Sequence, residues 1–281
     1  LSCMRLPSIL LLLLAAGMAQ AEDRAYLLGA GVDTDSDGGL RGGALAGVEL
    51  SDATWLSGGV SASSVELASG RTSHTRYADA ELDHYFDPIG ISLGVAYWGD
   101  PDLLDSVDRR LSLYYRNERF SIAGVYEYRD FDFIIPPSDF FVGREFAFDA
   151  DGLGARLRYK FNDIVSVSAS AIQYDYSVDF QPDENRDAVR LITVSRLSLL
   201  NSLIDSRASV DLGINSGNSR WEIDYTTWKG ALDLARTHSY TVSYLHPLSL
   251  RTDIEFALGY DDSDLYGDVT FLSLYLYFYG R

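Results

Sequence analysis

The chain has one cysteine, two methionines, seven prolines and four histidines in 281 residues. The cysteine, Cys3, stands ahead of the first methionine, Met4, and ahead of an apolar run that begins at Ile9. A lipoprotein signal needs its cysteine at the end of such a run, so lipid anchoring is excluded. A disulfide framework, a thiolate metal site and a cysteine nucleophile are excluded from the rest of the chain as well. Beyond residue 21 no stretch of about 18 apolar residues could cross a bilayer as a helix, and 3.6-residue periodicity is scarce. No Pro/Gly/Ser-rich linker divides the sequence into domains. Basic residues are outnumbered, 23 Lys+Arg against 41 Asp+Glu for a net charge of −18, which argues against a nucleic-acid partner.

What is present begins with an export signal. Residues 4–21 carry a basic residue (Arg5), an apolar core from Ile9 to Ala16, and small residues at Ala19 and Ala21 before the acidic Glu22. These are the three parts of a cleavable secretory signal peptide, with cleavage expected after Ala21. Leu1, Ser2 and Cys3 precede the plausible initiator Met4. Cleavage removes Arg5 and no acid, so the mature chain is one unit more negative still. Residues 22–281 read as a single all-β domain.

The evidence for strands is register. In Arg207-Ala208-Ser209-Val210-Asp211-Leu212-Gly213-Ile214-Asn215 every second residue is apolar and the others are polar or Gly. A strand places those two sets on opposite faces. The same period of two runs through Ile91, Leu93, Val95 and Tyr97, through Leu153, Ala155, Leu157 and Tyr159, through Tyr240, Val242 and Tyr244, and through Ile254, Phe256, Leu258 and Tyr260.

The connections alternate between short turns, near 51–53, 87–90, 116–119, 161–164, 201–205 and 246–249, and longer acidic segments. The longer set lies near 33–40, 64–72, 99–106, 131–146, 180–187, 216–236 and 261–268. That asymmetry predicts a transmembrane, antiparallel, up-and-down β-barrel of about 14 strands, closed because lipid cannot satisfy an open sheet edge. Segment 216–236 contains the strand-like Trp221, Ile223 and Tyr225. It is read as a hairpin standing above the membrane, with 12 or 16 strands as the alternatives.

The last strand, Phe271-Leu272-Ser273-Leu274-Tyr275-Leu276-Tyr277-Phe278-Tyr279, resembles the aromatic-rich terminal strand of Gram-negative outer-membrane β-barrels, although Gly280 and Arg281 follow its final aromatic. The resemblance extends over the mature chain as architecture and is porin-like in size, with no motif of one family. It implies an outer-membrane location, recognition by the barrel-assembly machinery, and contact with outer-membrane lipid and lipopolysaccharide.

With the apolar register facing lipid, the other register lines a lumen. Glu49, Asp79, Glu81, Asp83, Asp253 and Glu255 form an acidic arc across the closure, and Arg110, Arg129, Arg156, Arg158, Lys160, Arg190, Arg196 and Arg207 form a basic arc opposite. Asp108, Glu127 and Asp211 interrupt the basic side, Arg41 and Arg251 the acidic one. One reading is a transverse field across a watery constriction, in a passive channel for small polar or charged solutes. The other is a non-conducting barrel whose interior charges pair, serving as a lipopolysaccharide- and cation-bridging element or as the membrane partner of an export or adhesion system.

Three further features bear on function. The loop Phe131-Asp132-Phe133-Ile134-Ile135-Pro136-Pro137-Ser138-Asp139-Phe140-Phe141 is apolar for an exposed segment and reads as a plug, a docking element or a β-extension packed on its neighbours. Asp33, Asp35 and Asp37, followed by Gly38, have the spacing that turns alternate carboxylates toward a Ca2+ or Mg2+ ion, but the twelfth position of an EF-hand loop is Ala44. Asp261, Asp262 and Asp264 of the last outer loop are candidate replacements. The histidines, His74, His84, His238 and His246, all fall in the lipid-facing register. No outward serine and acid assemble around one of them in the sequence, and no omptin-like protease motif matches. They read as girdle residues with Phe86, Phe120, Tyr159, Phe161 and Tyr244, and the chain is not read as an enzyme.

Overall fold

The computed structural model describes residues 24–66, 72–100, 103–135, 144–178, 203–265 and 267–280. The expected signal peptide, 4–21, and Arg190 and Arg196 lie outside the described residues.

Fourteen antiparallel strands close into one barrel in which each pairs with its sequence neighbours and β1 pairs with β14. They are β1 Tyr26–Asp35, β2 Leu40–Ser51, β3 Thr54–Glu66, β4 Thr72–Tyr85, β5 Ile89–Asp100, β6 Leu104–Arg116, β7 Phe120–Ile135, β8 Arg144–Lys160, β9 Val165–Tyr176, β10 Ile204–Ser216, β11 Ser219–Gly230, β12 Arg236–Ser249, β13 Thr252–Ser263 and β14 Gly267–Gly280. The seam runs from Tyr26 opposite Gly280 to Asp35 opposite Phe271. Closure leaves no edge to be satisfied by lipid.

Register carries one face around the whole barrel, because residues directly opposite in an antiparallel pair share a face. Gly31 faces Gly43, Gly43 faces Ser61, Ser61 faces Tyr77 and Tyr77 faces Trp98, all inward. The outward set is apolar and exposed: Leu153 is 69% exposed, Leu258 62% and Leu113 59%. At the short-turn end this band is bordered by Phe86, Tyr115, Phe120, Phe161 and Trp221, and toward the long-loop end by Tyr126, Tyr240 and Tyr260. An apolar belt between aromatic girdles is the exterior of a barrel that spans a bilayer. Beyond the upper girdle the same face turns charged, with Arg109 and Asp130 paired across β6 and β7.

The strand count agrees with the sequence reading, but the path through 200–236 does not. Residues 219–230 form β11, inside the wall, and not a hairpin above it. Its turn to β10 is the tight Ser216–Ser219 connection, with Gly217 at φ +60°. Gly is favoured there because a side chain would clash in that backbone region. The expected short turn at 201–205 is also corrected: Leu203 is only 2% exposed and packs at the long-loop end, where β10 begins at Ile204. β10 therefore runs in the opposite sense to the one expected, while its faces are unchanged.

Candidate functional site: the barrel lumen

Fourteen strands enclose more space than their inward side chains fill. A cavity of about 730 Å³ spans the barrel at mid-height and toward the long-loop end, lined by Arg41, Tyr77, Asp79, Arg110, Glu127, Arg207, Asp224 and Tyr275 among others. A second, of about 670 Å³, lies toward the short-turn end between Glu81 and Asp83 of β4 and Arg156 and Arg158 of β8. A third of about 290 Å³ follows the seam beside Asp33, Glu255, Tyr275 and Tyr277.

The acidic side is built on a row of tyrosines. Tyr275, Tyr277 and Tyr279 alternate inward on β14, and their hydroxyls donate to Asp33 Oδ2 at 2.8 Å, Glu255 Oε2 at 2.8 Å and Asp253 Oδ2 at 3.1 Å. The rings of Tyr275 and Tyr277 stack at 6.3 Å with 13° between planes. Arg41 Nε also donates to Asp33 Oδ2, at 2.7 Å, so this cation within the acidic arc is locally neutralised. On β4, Asp83 accepts from Tyr114 at 2.9 Å. Asp79, Glu81, Asp83, Asp253 and Glu255 thus all face the lumen, as the sequence implies.

The basic side divides into two kinds of cation. Arg129 is sealed: Asp108 Oδ1 lies 3.3 Å and Glu127 Oε1 3.4 Å from its Nε, and the rings of Trp98, Phe131 and Tyr174 surround the guanidinium at 5.1–5.3 Å. Trp98 Nε1 donates to Asp108 Oδ2 at 2.9 Å and the Tyr174 hydroxyl donates to Glu127 Oε1 at 3.2 Å, which holds both carboxylates in place. Arg110 is half-buried between Tyr77 and Asp79 on one side and Glu127 on the other. Arg156 and Arg158 are exposed to the lumen and form no ion pair among the described residues, while Arg207 is exposed in the mid-height cavity. Lys160 is drawn to Asp163 of the adjacent turn at 2.8 Å.

The two arcs are accordingly less segregated than the sequence suggests. Reading 216–236 as an extramembrane hairpin hides the lumenal acids Glu222 and Asp224 of β11, which lie opposite Gly213 and Asp211 of β10. Arg220 pairs with Glu222 at 3.0 Å. Among the described residues inward carboxylates outnumber inward cations, and Arg156, Arg158 and Arg207 form no ion pair there.

The apolar stretch that starts at Phe131 extends β7 and β8 beyond the membrane band as far as Ile135 and Arg144, and residues 136–143 lie outside the described residues. Phe131 and Phe148 stack inward at 4.8 Å, joined by Trp98, Leu103, Leu104, Leu203 and Leu232 in a buried cluster. This cluster fills the mouth along the β5–β11 side. Of the forms expected for this stretch, the β-extension packed on its neighbours is the one its described residues take.

Asp33, Asp35 and Asp37 do not converge as a group of ligands in the structure. Asp33 is engaged by Arg41 and Tyr275, and Asp35 Oδ1 accepts the N–H groups of Asp37 and Gly39 at 3.1 and 2.7 Å. Partial burial, then the charge of Asp35, pushes the Asp37 carboxyl above its ordinary value. Among the described residues no three His, Cys, Asp or Glu side chains converge as metal ligands, Asp261, Asp262 and Asp264 included.

The four histidines lie on the exterior, as their register requires. The structure brings partners that sequence reasoning missed: Ser219 Oγ is 2.9 Å from His246 Nδ1, and Thr54 Oγ1 is 2.7 Å from His84 Nδ1. No carboxylate bonds to either imidazole among the described residues. Tyr244, not an acid, completes the His246 group.

The exterior belt and the polar lumen define a transmembrane β-barrel of the kind seen in outer-membrane porins and channels. No protein-family model matches the chain, and no curated protein matches it in sequence. Among solved structures it is similar to the CymD monoaromatic hydrocarbon channel, with a TM-score of 0.59 and 11% identity over 97% of this chain and 92% of that one. It is also similar to a loop-deleted OmpT, an outer membrane protein of Vibrio cholerae (TM-score 0.52, 10% identity, 92% and 98% covered), and to the P. putida toluene transporter TodX (0.52, 10%, 95% and 92%). At such identities the likeness is one of fold.

Proposed function

We propose that the protein is a passive, porin-like channel of a Gram-negative outer membrane for small polar or charged solutes. The observation that carries this reading is the pair of lumenal cavities, about 730 and 670 Å³, placed one beyond the other along the barrel and lined largely by polar and charged side chains. In the second, Glu81 and Asp83 face Arg156 and Arg158 across space rather than pairing, which maintains a field across the path of a solute. The apolar cluster at the β5–β11 side directs traffic along the acid-rich seam, and the excess of inward carboxylates favours cations over anions. The aromatic-rich β14 is the segment we assign to recognition by the barrel-assembly machinery, and outer-membrane lipid and lipopolysaccharide are the expected surroundings.

The test is single-channel recording from the refolded mature chain in a planar bilayer. Discrete steps with a cation-preferring reversal potential are expected. A folded, heat-modifiable barrel that gives no steps would remove the channel reading and leave a non-conducting envelope role.

A further inference from the structure

The lipid-facing wall is interrupted at one place. Leu153 of β8, Ala171 of β9, Ser206 and Ala208 of β10 and Thr227 of β11 border a groove of about 310 Å³. Lys229 and Arg236 close its long-loop end. Ala171 lies opposite Ala208, and Ala208 opposite Thr227, all in the outward register. The groove exists because Ala171, Ser206, Ala208 and Thr227 are short, while Leu153 projects fully at one side and Gln173, opposite both Leu153 and Ser206, adds an amide to its lining.

Its polar end is chemically distinct from its surroundings. Lys229 and Arg236 are direct cross-strand partners on the outer face, so their charges stand side by side. Lys229 touches Asp205 at 3.4 Å with both side chains about one-third exposed, and an ammonium with three donors retains capacity beyond that contact. The Arg236 side chain is exposed, and its backbone N–H donates to Asp264 Oδ2 at 3.4 Å, so each of the two cations has one carboxylate nearby. Elsewhere on this outer rim acids predominate, as at Asp130, Asp151, Asp262 and Asp268. The level is also informative: Thr227 and Lys229 follow Tyr225 outward on the same face of β11, and Tyr225 packs on Tyr240 of the upper girdle at 5.2 Å. The basic pair therefore sits where lipid headgroups begin.

We infer that this groove binds a phosphate-bearing lipid, with an acyl chain over Ala171, Ala208 and Thr227 and the phosphate between Lys229 and Arg236. Arginine suits a phosphate because its planar fork donates two parallel hydrogen bonds, and lysine adds a point charge. The site lies outside the lumen and is independent of whether the barrel conducts.

Native mass spectrometry of the full, folded barrel released from detergent tests the assignment, using dioleoyl phosphatidic acid against dioleoylglycerol, which has the same chains and no phosphate. The wild type should retain one phosphatidic acid with a preference of about tenfold or more, the order expected from two basic groups at a lipid surface. The K229Q/R236Q double variant should lose that preference. Ala208→Phe should fill the groove and abolish lipid retention while the barrel stays heat-modifiable on a gel. Equal retention of the two lipids, or an unchanged preference in K229Q/R236Q, overturns the site. Displacement of the lipid by millimolar inorganic phosphate as effectively as by phosphatidic acid overturns the lipid assignment and leaves a free-phosphate site.

Discussion

The guanidinium of Arg129 on β7 lies 3.3 Å from the carboxylate of Asp108, its direct partner on β6, and both side chains are only 7% exposed. Burial on this scale makes the pair intolerant of losing one member, since the survivor is left charged and desolvated. Arg129→Ala is expected to destabilise the barrel by about 3–5 kcal/mol. Equilibrium urea unfolding in lipid vesicles measures this, and a loss below about 1 kcal/mol would show the cage to be hydrated.

Selectivity should respond oppositely to the two walls of the lower cavity. Neutralising Arg156 and Arg158 together, as R156Q/R158Q, should shift the reversal potential in a salt gradient further toward cations. Glu81→Gln with Asp83→Asn should shift it toward anions. Both shifts should shrink at 1 M salt, where the screening length falls to about 3 Å. Unchanged reversal potentials in both variants would separate these residues from the ion path.

The ring of Tyr275 lies over Gly31 on the neighbouring strand, in the space a Cβ would occupy. Gly31→Ala should force the ring away and weaken its hydrogen bond to Asp33. Overpacking of this kind costs about 1–3 kcal/mol. A matching fall in unfolding free energy, together with altered Tyr275 fluorescence in a background of Tyr→Phe replacements on β14, is the expected outcome.

At the short-turn end, the Lys160 hydrogen bond and charge hold the Asp163 carboxyl below its ordinary value. A depressed carboxylate pKa contributes stability that is present above the unfolded value and lost as pH falls through the folded one. The group is fully exposed, so the effect is best read directly: NMR titration should place the Asp163 midpoint below 3.8, and Lys160→Met should restore it.

Much of this architecture is legible in the sequence because alternation with period two fixes a residue's face independently of the strand's direction. Asp79, Glu81, Asp83, Arg156 and Arg158 were assignable to the lumen on that ground alone. For the same reason Arg207 keeps its inward orientation although β10 runs opposite to the expected sense. What changes is its depth, because reversing the strand moves Arg207 from the short-turn end to the mid-height cavity. Alternation says nothing about direction, so the Ser216–Ser219 turn was hidden behind a stretch that merely looked long. Glu222 and Asp224 were lost with it. The Arg129 cage was beyond reach for a different reason: Glu127 shares its face two residues earlier on β7, but Trp98, Asp108 and Tyr174 come from β5, β6 and β9, whose mutual register no local pattern encodes.

The seam between β1 and β14 has a consequence in time as well as in space. Every other strand finds a partner immediately before or after it in the chain, so a growing sheet can add hairpins in order. β1 finds only β2, and its other edge, from Tyr26 to Asp35, waits for the last strand to arrive. Until then the nascent wall has two open margins, one fixed and one advancing, and each exposes a row of backbone donors and acceptors that attracts any available strand. Closure is therefore the last pairing to form, when the aromatic strand β14 reaches the waiting edge of β1.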